Sequence, residues 1–165
     1  MKKINTQLQK GFTLIELLVV IGILGILAAV LIVLLDPVDK INAANDTGVI
    51  NSIAQFGRAN DTYAATHSNS YVGGANVNAA LTDLATNGES KFSSYTAPTG
   101  YTVNYITTAA CTTAAGTCVN YAFWVTALKS KANGGPTTGK EYIWANGKGC
   151  FANNGTAVPA TYACP

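Results

Sequence analysis

Glu16 is the one charged residue between Lys10 and Asp36, and fifteen of the nineteen residues that follow it are large aliphatics. Each of those side chains favours membrane insertion by roughly 0.3–0.6 kcal/mol near a helix centre, whereas Glu16 opposes it by at most ~3 kcal/mol. Insertion still wins. At ~1.5 Å per residue, about 24 residues reach ~36 Å, enough to cross a hydrocarbon core of ~30 Å. An acid retained in such surroundings marks a function, and the chemistry open to it is pairing with a cation that also lacks water. Gly22 and Gly25, with Ala28 and Ala29, thin the same helix on part of its surface and permit close helix contact.

The other reactive side chains are sparse. Cys111, Cys118, Cys150 and Cys164 allow three pairings. The preferred one joins Cys111–Cys118 across a hairpin and Cys150–Cys164 at the carboxyl-terminal tail, where a loop of about 15 residues adds roughly 3 kcal/mol by the loop-entropy estimate. Zinc is disfavoured, because no Cys-x-x-Cys spacing exists and the sole histidine, His67, lies far away in sequence near a helix end. No nucleophile elbow, phosphate loop or metal-ligand cluster occurs, and Gly147-Lys148-Gly149 reads as a turn. The chain is therefore expected to be no enzyme and to need no cofactor or metal. After Lys91, four lysines (Lys129, Lys131, Lys140, Lys148) face a single acid, Glu141. With Tyr142 and Trp144 nearby they could contact single-stranded DNA, although a solvated hairpin with inward aromatics explains them as well.

These groups need elements to position them. The apolar run predicts a helix, and from residue 38 to about 67 Ile41, Val49, Ile53, Phe56, Asn60 and Tyr63 recur at spacings of three and four, with one break, so the helix continues with an amphipathic face. Gly48 and Gly57 weaken that half by up to ~1 kcal/mol each, so packing must hold it. A short helical turn is expected near residues 79–84. Alternation at 101–106 and 119–128, and the segment 141–145, predict strands, with a turn at Asn133-Gly134-Gly135-Pro136. The fold class is α+β: a long helix on a small antiparallel sheet of three or four strands.

Charge sets the orientation. Lys2, Lys3 and Lys10 precede the apolar run and predict a cytoplasmic amino end with the carboxyl part exported, where disulfides persist. An ordinary cleaved secretory signal fits poorly, since the run is too long and Asp36, Pro37 and Val38 follow it instead of a small-x-small site.

Gly11-Phe12-Thr13-Leu14-Ile15-Glu16-Leu17, behind a short basic leader and ahead of an apolar helix, resembles the signature of type IV pilins and type II secretion pseudopilins. The resemblance covers about the first 60 residues. It implies a leader at 1–11, a transmembrane and filament-core half-helix at 12–35, an amphipathic half at 36–67 and a globular head at 68–165. It further implies cleavage by a prepilin peptidase after Gly11, N-methylation of the new terminus Phe12, and pairing of Glu16 with the Phe12 ammonium of an adjoining subunit. The implied partners are identical or homologous subunits, the peptidase, an inner-membrane assembly platform with its ATPase motor, and membrane lipid before assembly. The implied location is the inner membrane, then a surface filament. Many members carry a proline inside the apolar run; here the first one beyond the leader is Pro37, so a kink is expected at Asp36-Pro37 or near the glycines.

Three functions follow from this reading: a pilus subunit, a pseudopilin of a secretion or DNA-uptake machine, and a membrane-anchored enzyme or binding module that does not polymerise. Pseudopilins of that kind usually hold calcium in an acidic loop, and the scarcity of acids after Lys91 favours the pilus subunit.

Overall fold

The computed structural model describes residues 11–107 and 118–153, and the chain divides into two compact units between Pro37 and Val38. The first unit is one helix, α1 (Leu14–Leu35), with no buried residue anywhere along its 22 residues. Its length is about 33 Å. It is long and apolar enough to cross a membrane. A helix apolar all round has no solvent-facing side of its own, so it calls for lipid or other helices. Asp36, in the left-handed region at φ 41°, ends it, and Pro37 opens the next helix at a position where a missing N–H costs nothing. The long helical run from Leu14 to Thr66 is thus interrupted at one residue, at the Asp36-Pro37 step.

The second unit packs α2 (Pro37–Thr66) and α3 (Val77–Thr86) with four strands: β1 (Thr102–Thr107), β2 (Tyr121–Thr126), β3 (Glu141–Ala145) and β4 (Lys148–Ala152). The strands form an antiparallel meander in the order β1-β2-β3-β4. Asp46, Val49, Ile53, Phe56, Asn60 and Ala64 are the buried stripe of α2, at successive spacings of three and four. Val49, Ile53 and Phe56 meet Leu81 and Leu84 of α3 and Tyr105, Tyr121, Phe123 and Val125 of the sheet in one core. Ile41 does not join them and is 62 % exposed. At ~100° per residue it stands roughly 100° away from the middle of the buried stripe. Val119 likewise lies outside β2 and exposed, so the strand is shorter at its start than the alternation implied.

The fourth strand is the main addition. Ala145 pairs with Lys148, so the connection is the two-residue turn Asn146-Gly147, with φ of 46° and 82°. Both residues adopt the positive φ that a tight hairpin of this kind requires, and Asn-Gly is the sequence that supplies it. The turn expected at 147–149 is therefore one residue earlier, and Lys148 begins a strand.

Two carboxylates fasten the sheet side to α2. Asp46, 1 % exposed, accepts from the Tyr101 hydroxyl (2.7 Å), the Lys129 amide (2.8 Å), the Ser130 amide and hydroxyl (3.0 and 2.7 Å) and Asn133 Nδ2 (2.7 Å). Burial by itself would raise its pKa, but the bonds from Asn133, Ser130, the Lys129 amide and Tyr101 outweigh burial and hold it at about 2. Nearer the other end, Asp61 accepts from the Tyr121 hydroxyl at 2.6 Å and from Trp144 Nε1 at 3.3 Å. Burial, reinforced by Asp61, pushes the Tyr121 phenol far above its ordinary range. Arg58 covers the Trp144 ring at 5.4 Å. Gly57 allows this approach: a Cβ there would lie 2.0 Å from Trp144 Cδ1.

Candidate assembly site

The first turn of α1 is organised by two side chains. Thr13 is the N-cap, with extended backbone (φ −86°, ψ 149°), and its hydroxyl oxygen accepts from the Glu16 amide at 3.4 Å. Glu16 reaches back and accepts at one oxygen, Oε2, from the Thr13 amide (2.9 Å) and the Thr13 hydroxyl (2.6 Å). The result is a capping box, which satisfies backbone donors that a helix start otherwise leaves open. In hydrocarbon this matters more than in water, because no solvent is there to take those donors. Among the described residues Oε1 of the same carboxylate has no partner, so Glu16 retains an acceptor for a cation from outside its own helix. Phe12, 82 % exposed, lines an open apolar hollow on the helix surface together with Ile15, Glu16, Val19 and Val20.

The family model described as the prokaryotic N-terminal methylation motif matches residues 7–32. The matched segment is similar to the class III signal of pilins and pseudopilins. No curated protein and no solved structure matches the chain. The matched residues include Gly11, Phe12, the capping box and most of α1. It points to a precursor of a structural subunit rather than to an enzyme, and with α1 it fits anchoring in the inner membrane. Gly22 and Gly25, both inside the motif, have open space where a Cβ would stand.

The remaining sequence candidates are scattered by the fold. Tyr142 is buried in β3 with its ring edge-on to Phe151 at 5.2 Å, and Trp144 is half-buried with Nε1 committed to Asp61 and the Tyr121 oxygen. Neither ring is presented as a stacking platform for a base. Lys129 places its ammonium 4.9 Å from the Tyr101 ring and donates to the Thr99 carbonyl at 3.2 Å. His67, exposed, stacks on Tyr63 at 3.8 Å between ring centres, with Nδ1 3.0 Å from the Tyr63 carbonyl at the end of α2. Cys118 is buried, and both it and Cys150 are disulfide-bonded. Their expected partners, Cys111 and Cys164, lie outside the described residues, and so do both pairings.

Thr13 is the functional residue that the sequence reading passed over. Its signal was present, since Thr-x-x-Glu ahead of an apolar run is the capping-box pattern. Glu16 was expected to pair with another subunit; its bonds to its own N-cap add a second role at the helix start.

Proposed function

We propose that this chain is the precursor of a type IV pilus subunit. Prepilin peptidase cuts after Gly11, Phe12 becomes the N-methylated terminus, and α1 moves from the inner membrane into the core of a surface filament. The observation that carries this reading is a 22-residue helix exposed on every side, apolar throughout except for Glu16, and beginning inside the methylation motif. The motif supports processing by the peptidase and association with other subunits of its kind; the assembly platform and its ATPase motor complete the machinery.

In the filament, the Phe12 ammonium of one subunit meets Glu16 of the next. Each charge is unfavourable alone in hydrocarbon, and pairing lifts both penalties only when the two helices stand in register. The capping box suits this role. It occupies Oε2, orients the carboxylate at the helix start and leaves Oε1 for the incoming ammonium. Gly22 and Gly25 then allow neighbouring helices to approach closely.

A pseudopilin of a secretion or DNA-uptake machine would share the same assembly chemistry. The pilus reading is preferred because the only carboxylate after Lys91 is Glu141, which is buried in β3 and unsuited to an exposed calcium loop. Electron microscopy of sheared surface material, labelled with an antibody to this chain, separates the two. Long labelled filaments are expected. Labelled material confined to the envelope would assign the chain to a pseudopilus.

A further inference from the structure

The second unit contains a polar cleft that plays no part in filament assembly as described above. Its volume is about 260 Å³, and it lies among Tyr63 near the end of α2, the connection 70–73, and Asp83, Thr86 and Asn87 at the end of α3. The connection is pinned from several directions. Buried Asn60 accepts from the Val72 amide at 2.9 Å, and the Tyr105 hydroxyl donates to the Val72 carbonyl. The Tyr71 amide donates to the Cys118 carbonyl at 2.9 Å, and the Cys118 amide donates to Ser70 Oγ at 3.0 Å. The Tyr71 ring rests against Tyr121 at 4.5 Å, and the Tyr63 ring is stacked on His67. The cleft is therefore preformed, and a ligand would not have to order its walls.

Its chemistry is specific. Among the described residues, the Tyr63 and Tyr71 hydroxyls and the Asp83 carboxylate make no hydrogen bond. Asn87 commits its Nδ2 to the Asp83 carbonyl at 2.8 Å and keeps Oδ1 as an acceptor. Among the described residues no lysine or arginine lines the cleft, so an anion would meet Asp83 without a counter-charge. An apolar ligand would strip water from Asp83 and both phenols and give nothing back. An ammonium ion brings donors alone and would leave the two phenolic protons without an acceptor. A neutral polyol brings both kinds of group: its hydroxyls donate to Asp83 and to Asn87 Oδ1 and accept from Tyr63 and Tyr71. Its C–H faces can pack on the tyrosine rings. The volume lies just below the ~300–1,000 Å³ of drug-sized sites, which suits one sugar ring rather than an extended chain.

We infer that this cleft binds a single neutral sugar unit, either free or at the end of a glycan. The test is saturation-transfer NMR on the full-length chain in a detergent without a sugar headgroup. The probes are free neutral hexoses, their methyl glycosides, oligosaccharides ending in the same sugars, and methylammonium. At least one sugar is expected to receive saturation. Asp83→Ala should weaken it at least tenfold without changing thermal unfolding, because the Asp83 carboxylate makes no internal bond. Tyr63→Phe, which keeps the ring and its stack on His67, should weaken the same sugar. Transfer confined to the terminal ring of an oligosaccharide assigns the cleft to glycans, and transfer to free hexose alone assigns it to free sugars. The inference is overturned if no sugar receives saturation, if both variants bind as well as the parent, or if only methylammonium binds.

Discussion

Thr13 donates both its amide and its hydroxyl to the same oxygen of Glu16, at 2.9 and 2.6 Å, while among the described residues the other carboxylate oxygen is left open. One side chain thus closes its own helix and still offers an acceptor outward. In the proposed filament, that division would let the acid tolerate the membrane as a monomer and remain available for assembly. The two roles can be separated by substitution.

Glu16→Gln keeps an acceptor for the cap but removes the charge; Thr13→Ala removes the cap but keeps the charge. Losing the Thr13 cap costs about 1 kcal/mol at the helix start. Both variants, and Glu16→Ala, are expected to be processed normally. Filament yield in the sheared fraction, read by immunoblot, should collapse for Glu16→Gln and Glu16→Ala and fall only modestly for Thr13→Ala. Equal loss in Glu16→Gln and Thr13→Ala would assign Glu16 to capping alone.

Gly57 and Trp144 compete for the same space. Gly57→Ala places a methyl 2.0 Å from Trp144 Cδ1, which the indole can avoid only by leaving Asp61 and the Tyr121 oxygen. Overpacking of this kind costs ~1–3 kcal/mol. Urea unfolding should register that loss, and the cost of Gly57→Ala should shrink markedly when Trp144→Leu is also present, since neighbouring sites couple.

Asp46 makes stability depend on acid. Its pKa is lowered from 3.8 to about 2 on folding, so its contribution is complete above about 4 and is lost as pH falls from 4 towards 2. The linked amount is about 2 kcal/mol. Unfolding free energy measured from pH 6 to 2 should fall through this window, and Asp46→Asn should flatten that part of the curve. Asp46→Ala strands the Lys129 and Ser130 amides and is expected to cost 3 kcal/mol or more, on the order of a broken buried charge network.

Peptide mapping of unreduced protein tests the cysteine pairing. Linked peptides Cys111–Cys118 and Cys150–Cys164 are expected. A Cys118–Cys164 peptide would replace that arrangement.

How much of this was legible in the sequence differs between the two units. The amino-terminal segment announces itself through composition: one acid in an apolar run needs no tertiary context to stand out. The buried stripe of α2 was also readable from Val49, Ile53, Phe56 and Asn60, because helical period is a local property. What escaped depends on partners distant in sequence. Gly57 looked like a helix weakener until Trp144, 87 positions later, was seen against it. The role of Asp46 has no local signal, because its donors come from residues 101, 129, 130 and 133. β4 was missed for a local reason: glycines at 147 and 149 flank Lys148, and they masked the Asn146-Gly147 turn signal just before it.

The most direct measurement is mass spectrometry of the amino-terminal peptide from protein sheared off the cell surface. The account predicts a single mature terminus at Phe12, N-methylated, in material that is filamentous by electron microscopy. A terminus at Met1, or one beyond residue 35, would contradict it.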